Sequence, residues 1–437
     1  MSQKRISFFI SLIVLVCAAR ATADSTTARV LTLDQCFNLG KENSLVLKRA
    51  GYSVQSAGLA RKEVNTTGLP QVRLSAGASF APGTLDFGYD PALSNKGQLG
   101  SQIIVEQQLF DGGRRHLKGR QSDLDISRLT KEQQLSERDL EFEIRQSFIE
   151  NLRAQHDTHL RAQSLAQLSE YLDLVKRLNA GGVVPYTDLL KTEVDVVNAS
   201  ATLSQSQQAL TEVKYQLAGL LGSPADTLFV VTDSLDESFP LRLDSTILTT
   251  ALDTNRNLDL SIARLEYERS QSEITEVRKE RSPTVALVAD AGLLTSRENL
   301  MLPSSDRYSG LGYSVGLTLD LPLFDWGGQK LRVQQQQMAA ESNRLQIDVI
   351  RRAYETEYRS AVARLGSARR QLNALRDAVK KAEDNFLLTK SKYAAGGATA
   401  TDVLSAQQLL TETKVAKLET TTDIQLALAK IARLTAN

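Results

Sequence analysis

The sequence predicts a mainly α chain with a membrane β part, built as two copies of one half-protein. Three observations carry that prediction. Motifs of the first half return in the second in the same order and at a nearly constant offset. The long segments 113–179 and 328–394 hold no proline and lead into heptad-patterned stretches. Four short runs alternate apolar and polar residues.

Composition agrees. Aromatic residues make up 5% of the 437 positions and proline nine of them, which favours long helices over a β-sandwich. The 52 Lys+Arg stand against 51 Asp+Glu, so no basic excess marks a nucleic-acid partner. Two cysteines build no disulfide framework, and no CxxC or Cys/His cluster offers a zinc site. His156 and His159 share a helical face without a third ligand and read as solvated. GxSxG, Walker A and HExxH are all missing, so neither an enzyme nor a cofactor is expected.

The chain opens on a targeting segment. Lys4 and Arg5 give a positive start, residues 6–17 an apolar stretch, and Ala21-Thr22-Ala23 an A-x-A cleavage site. Residues 1–23 are therefore expected to be a signal peptide, with the exported chain beginning at Asp24. Lipidation of Cys17 is the alternative, although Val16 stands where a small residue should precede a lipidated cysteine. No other apolar run approaches the roughly 20 residues of a membrane helix, so membrane embedding requires β-strands.

The repeat organises the rest. Gln107-Gln108-Leu109-Phe110-Asp111-Gly112-Gly113-Arg114 returns as Leu321-Pro322-Leu323-Phe324-Asp325-Trp326-Gly327-Gly328-Gln329. Ala180-Gly181-Gly182 with Thr187-Asp188-Leu189-Leu190 returns as Ala395-Gly396-Gly397 with Thr401-Asp402-Val403-Leu404. Leu69-Pro70-Gln71-Val72 is echoed by Ser282-Pro283-Thr284-Val285. Phe110 to Phe324 is 214 positions and Gly181 to Gly396 is 215. Solenoid repeats are ~20–50 residues, so this period marks a duplicated half-protein. The expected order is a first repeat over 24–222, a linker over 223–243 and a second repeat over 244–437. Each runs helix, two strands, long helix, Gly turn, helix. The strands are expected near 70–84 and 97–111, then near 283–297 and 309–324.

Helix period dominates between the turns. Tyr354, Tyr358, Ala361, Leu365, Ala368, Leu372, Leu375, Val379, Ala382 and Phe386 alternate spacings of four and three, the coiled-coil period. After the first Gly turn, Leu189, Val196, Ala199, Leu203, Leu210, Val213, Leu217 and Leu220 keep the same register, with gaps at Thr192 and Ser206. At 1.5 Å per residue each proline-free helix spans on the order of 100 Å.

The strands alternate. Val72, Leu74, Ala76 and Ala78 face opposite to Gln71, Arg73, Ser75 and Gly77; Ile103, Val105 and Leu109 form the second set. Val285, Leu287, Ala289, Ala291 and Leu293, then Tyr313, Val315, Leu317, Leu319 and Leu321, complete the four. The polar side holds Arg73, Glu106, Asp290 and Asp320, and runs of about 9–11 residues suit tilted membrane strands. The smallest membrane barrels have about eight strands, and lipid forbids open sheet edges. If the strands span a membrane, copies must pool them, and three give ~12.

Two groups of turn residues stand out. Gly181-Gly182 and Gly396-Gly397 end the long helices as C-caps, and Asp188 and Asp402 open the next helices. On a three-fold axis these acids make a cation-favouring constriction of ~6 carboxylates; the plainer alternative is a first-turn acid favoured by the helix dipole. Phe110-Asp111-Gly112-Gly113 and Phe324-Asp325-Trp326-Gly327-Gly328 read as sharp strand-to-helix turns, with Phe324 and Trp326 also suited to an interfacial aromatic belt.

These residues resemble the TolC-type outer-membrane efflux proteins. Leu31-Thr32-Leu33-Asp34-Gln35-Cys36-Phe37 through Asn43 is similar to that family's first helix. Leu323-Phe324-Asp325-Trp326-Gly327-Gly328 and Tyr393-Ala394-Ala395-Gly396-Gly397 to Thr401-Asp402-Val403-Leu404 are similar to its second-half signatures. The resemblance implies a homotrimer in the outer membrane, its 12-stranded barrel (four strands per chain) continuous with a long α-helical coiled-coil barrel in the periplasm. It also implies a periplasmic adaptor (membrane fusion) protein and an inner-membrane transporter as partners, with outer-membrane lipid around the strands. Gly181, Gly182, Asp188, Gly396, Gly397 and Asp402 carry over as tip and gate positions. Two departures follow: Ala398 stands where some relatives place a basic locking residue, and Ser405 where some carry a second acid. The competing reading is a periplasmic structural or adaptor coiled coil whose small sheet packs as a lipoyl-like or hairpin domain.

Overall fold

The computed structural model describes residues 29–79, 98–223, 229–232, 257–297 and 307–435. The expected signal peptide, Cys17 and most of the linker over 223–243 lie outside them. The described residues are mostly helical, in the order β1 (Arg29–Leu31), α1 (Leu33–Asn43), α2 (Leu45–Thr66), β2 (Gln71–Ser79), β3 (Gln98–Phe110), α3 (Arg114–Ala180), α4 (Tyr186–Leu220), β4 (Phe229–Val231), α5 (Leu258–Lys279), β5 (Thr284–Arg297), β6 (Arg307–Asp320), α6 (Gly328–Ala394) and α7 (Ala400–Thr435). They form two compact units, each drawing on both halves of the sequence.

The first unit takes the described residues of Met1–Ser44, Leu140–Asp244 and Ala361–Ala432. Its α1 starts in a capping box: the Thr32 hydroxyl accepts from the Gln35 N–H, and the Thr32 N–H donates to Gln35 Oε1 at 3.1 Å. β1 and β4 pair in parallel, a strand pair absent from the expected order. Three residues each are too few for period-2 alternation to register. Leu31, Phe229 and Val231 turn inward onto Cys36, Ile144, Phe148, Leu152 and Leu217. With its amide oriented to match, Gln155 donates to the Val231 carbonyl and accepts from its N–H. α4 closes on a Schellman turn, Ser223 N–H to Ala218 O at 2.9 Å, and Asn43 Nδ2 covers the Leu221 carbonyl.

Heptad positions of α6 are buried or half-buried from Tyr354 to Phe386. The two gaps in the α4 register are buried as well. Thr192 Oγ1 donates to its own helix at Asp188 O (2.8 Å) and Ser206 Oγ to Leu203 O (2.8 Å). A hydroxyl satisfied by the preceding turn enters a seam without an orphaned polar atom.

The second unit takes the described residues of Leu45–Asp139, Ser245–Ser360 and Arg433–Asn437. It holds one antiparallel sheet in the order β2-β3-β5-β6. Register puts Leu74 beside Ile103, Ile103 beside Ala291, and Ala291 beside Tyr313, so the apolar positions of all four strands share one face. Arg73, Glu106, Asp290 and Ser314 lie on the other, where Arg73 approaches Glu106 at 3.7 Å and Ser314 bonds Asp290. Among the described residues no strand position of this sheet is buried, and Tyr313 is 85% exposed. β6 ends at Asp320, short of the expected 324, because Pro322 has no N–H to continue the ladder.

Candidate functional site

The site is built in the first unit from two helix-to-helix turns. α3 ends on a Schellman turn, with Val183 N–H to Leu178 O and Gly182 N–H to Asn179 O, both 2.9 Å. α6 ends identically, Gly397 N–H to Lys392 O at 2.8 Å and Gly396 N–H to Tyr393 O at 3.0 Å. The left-handed residues are Gly182 (φ 69°) and Gly396 (φ 78°), so the turns correspond at an offset of 214 throughout. The pairing of Gly181 with Gly396 is thereby corrected: Gly181 matches Ala395, and neither Gly181 nor Gly397 needs a glycine dihedral.

Equivalent in sequence, the two acids differ in surroundings. Asp402 closes a capping box at the start of α7. Its Oδ2 accepts from the Thr399 N–H (2.8 Å) and hydroxyl (2.7 Å), while its own N–H donates to Thr399 Oγ1 (3.2 Å). The Thr399 N–H, then its hydroxyl, hold this exposed carboxyl below its ordinary value. The helix-start reading is thus realised at Asp402, in the form of a reciprocal cap.

Asp188 has no such partner, because Pro185 occupies the N-cap of α4 without a side-chain bond. Its carboxylate instead bears on Tyr171 of α3 and Tyr393 of α6. Those rings meet edge to face, centroids 5.3 Å apart, and both are almost wholly buried. Burial raises the Tyr393 phenol, Asp188 adds to the rise, and the Tyr171 hydroxyl opposes it. Tyr171 is raised too, by burial first and then by Tyr393 and Asp188.

Lys191 Nζ donates to Thr401 Oγ1 at 2.8 Å, which ties the first turns of α4 and α7 and sets Asp188 and Asp402 on neighbouring helix starts. Below Asp188 on α4, burial raises the half-buried Asp195 carboxyl while Lys191 lowers it. Leu168, Val175, Ala382, Phe386, Val403 and Leu410 pack the helices behind the turns, and Ala398 joins them as an apolar contact. Sequence reading missed Tyr171, Lys191 and Asp195, whose partners come from other helices. Thr399 was legible as the first residue of a Thr-x-x-Asp capping pattern.

The strand-to-helix turns, in the second unit, are also capped. Asp111 accepts from Gly113 N–H (2.9 Å) and Arg115 N–H (2.8 Å); Asp325 accepts from Gly327 N–H (3.2 Å) and Gln329 N–H (2.6 Å). Gly112, Gly113 and Gly327 adopt positive φ, whereas Gly328 does not. In the second turn Trp326 takes that conformation (φ 56°), where the first repeat has Gly112. His159 Nε2 lies 2.9 Å from Gln163 Nε2. Among the described residues no group of three or more His, Cys, Asp or Glu is arranged to hold a metal.

Known proteins share this architecture. The chain is 25% identical over 407 residues to the proteases secretion protein PrtF of Dickeya chrysanthemi, covering 87% of this chain and 83% of PrtF. It is 23% identical over 398 residues to the outer membrane protein TolC of Salmonella enteritidis, covering 89% and 79%. The solved fold of the outer-membrane channel OprN matches with a TM-score of 0.75 at 18% identity, over 92% of this chain and 89% of that one. CusC matches with 0.75 at 16%, over 93% and 92%. The outer membrane efflux protein family profile matches residues 38–223 and 251–437. This chain therefore belongs to the outer membrane efflux protein family and is an outer-membrane exit channel.

Proposed function

We propose that three copies pool their strands into a ~12-stranded barrel continuous with a periplasmic helical tunnel, forming the passive exit duct of a tripartite efflux or type I secretion system. The carrying observation is the sheet. Its apolar face is uncovered, and both edge strands, β2 and β6, have a free side among the described residues. Lipid tolerates the face but not the edges.

Each edge strand is continued by a helix with an exposed apolar stripe at heptad spacing: Leu45, Tyr52 and Leu59 on α2, and Leu331, Met338 and Leu345 on α6. Two different complementary edges make a head-to-tail interface, which closes into a ring. Two copies would give about eight strands, whose interior side chains fill the lumen; three leave a wet passage. A lipoyl-like or hairpin packing of the sheet, which the adaptor reading needs, would bury one of its faces.

In this reading the tip turns dock a periplasmic adaptor, and an inner-membrane transporter supplies energy for which this sequence has no fuel-binding motif. Asp188 and Asp402, brought to neighbouring helix starts, form a cation-favouring ring at the tip. Opening is a population shift in which adaptor contacts prefer splayed tip helices. Relatives are named for protease secretion and for toluene efflux, so one duct design suits very different cargo.

The test is extraction of the outer membrane and mass determination of the detergent-solubilised complex. Three mature chains in that membrane are expected. A monomer or dimer in the periplasmic fraction would transfer the assignment to the adaptor coiled coil.

A further inference from the structure

We propose that the collar where the second pair of strands turns into α6 binds anionic phospholipid headgroups in the inner leaflet of the outer membrane; this rests on the membrane-spanning reading of the sheet. At that end the chain passes through Leu323, Phe324 and Trp326, all exposed, Trp326 at 89%. Trp326 holds the left-handed conformation, which is unfavourable for a bulky side chain. Its ring packs edge to face on Phe324, centroids 4.8 Å apart at 69°. The pair thus forms one outward aromatic knob, continuous with the apolar face of Leu317, Leu319 and Leu321. Amphipathic rings of this kind settle at headgroup level.

Cations surround the knob. Gln329 Nε2 donates to the Val277 and Arg278 carbonyls, 3.0 Å each, which fastens the end of α5 to the turn. Exposed Arg278 and Arg281 therefore stand beside exposed Lys330 and Arg332. The nearby acids are Asp325, 3.2 Å from Arg281, Glu280, 2.9 Å from Arg332, and Asp320, which pairs with Thr284 and lies on the polar face of the sheet, opposite to Leu317 and Leu319. Asp325 also accepts two backbone N–H groups at the start of α6, so the collar retains an outward positive excess. Within a few residues the surface passes from uncharged apolar strand through aromatic rings to cations. Cations held at that depth meet lipid phosphates, and they favour a headgroup with net negative charge over a zwitterionic one.

Trp326 is the only tryptophan, so its fluorescence reports on this collar alone. The full chain is reconstituted in phosphatidylcholine vesicles containing about one-third phosphatidylglycerol. Bromine is carried on the acyl chains of one lipid at a time, and conductance is recorded alongside. At equal mole fraction, brominated phosphatidylglycerol is expected to quench Trp326 several-fold more than brominated phosphatidylcholine. The preference should shrink with salt, resist added inorganic phosphate, fall about five-fold when one charge is removed, and reach parity in the Arg278→Gln/Lys330→Gln double variant.

Equal quenching by both lipids in conducting vesicles overturns the headgroup preference and leaves the barrel intact. Displacement by inorganic phosphate, or a full preference kept by the double variant, overturns it as well. Should the variant fail to assemble, the salt dependence of the native protein decides. Vesicles with neither conductance nor quenching would defeat the membrane-spanning reading along with the collar.

Discussion

Gly112→Ala and Gly327→Ala each place one methyl on a left-handed residue of a strand-to-helix turn, yet the losses are expected to differ. Both positions have positive φ, 70° and 86°, and for an L-residue that costs about 1–2 kcal/mol. At Gly327 nothing lies within 4 Å of the added Cβ, so this dihedral cost is the whole effect. At Gly112 the Cβ would sit 2.9 Å from Ser282 Oγ and overlap Ser282 Cβ. Carbon contacts are comfortable at roughly 3.5–4.0 Å, and a Cβ cannot rotate out of the way. Overpacking of this kind adds about 1–3 kcal/mol, for a total of about 2–5 kcal/mol. Guanidinium unfolding of the purified complex, followed by circular dichroism, measures both. Ser282→Gly in the Gly112→Ala background should recover about 1–3 kcal/mol by removing the colliding atom. Equal losses at the two glycines, or no recovery in the double variant, would refute the steric argument.

Four further outcomes are expected. Asp188→Ala and Asp402→Ala should each weaken cation preference in single-channel recordings, and unchanged selectivity would sink the ring. Because Thr399 lowers the Asp402 carboxyl, the cap is fully present above the ordinary carboxylate value and lost as pH falls through the lowered one. Amide exchange at the start of α7, corrected for intrinsic rate, should therefore rise on acidification into that window, and an identical profile in Asp402→Asn would contradict it. Burial pushes the Cys36 thiol up to about 11, so maleimide should label it at neutral pH only after denaturation; rapid labelling of the native protein would refute this. Val315→Arg, on the exposed apolar face, should destabilise the membrane form by about 2–4 kcal/mol while Thr318→Arg on the polar face is tolerated. Equal effects would mean the face does not meet lipid.

Periodicity by itself determined much of this protein. Alternation in the four strand runs and the four-three spacing of Tyr354 to Phe386 are properties of consecutive residues, and the register and burial follow them. The apolar face of β6 was equally legible, since every second residue from Tyr313 to Leu321 is apolar, whereas its exposure came from the structure. Repetition in the motifs brought the two helix turns and two strand turns into correspondence. It misjudged the glycines by one position, because Gly-Gly looks the same from either end while only one residue of a Schellman turn is left-handed.

Tertiary structure alone decided what the matching positions do. Asp188 and Asp402 hold matching positions, and the Thr399 cap on the second is local to the chain, but the Tyr171–Tyr393 pair that faces the first comes from two other helices. Trp326 and Gly112 are likewise matched, and only Ser282, brought in after α5, bars a side chain from the first. Thr192 and Ser206 read as breaks in a seam, and become part of it by bonding their own helix. A sequence records each residue's neighbours along the chain and its period. Which helix arrives beside it, and which polar atoms that arrival leaves to be satisfied, is set by packing between segments far apart in the chain.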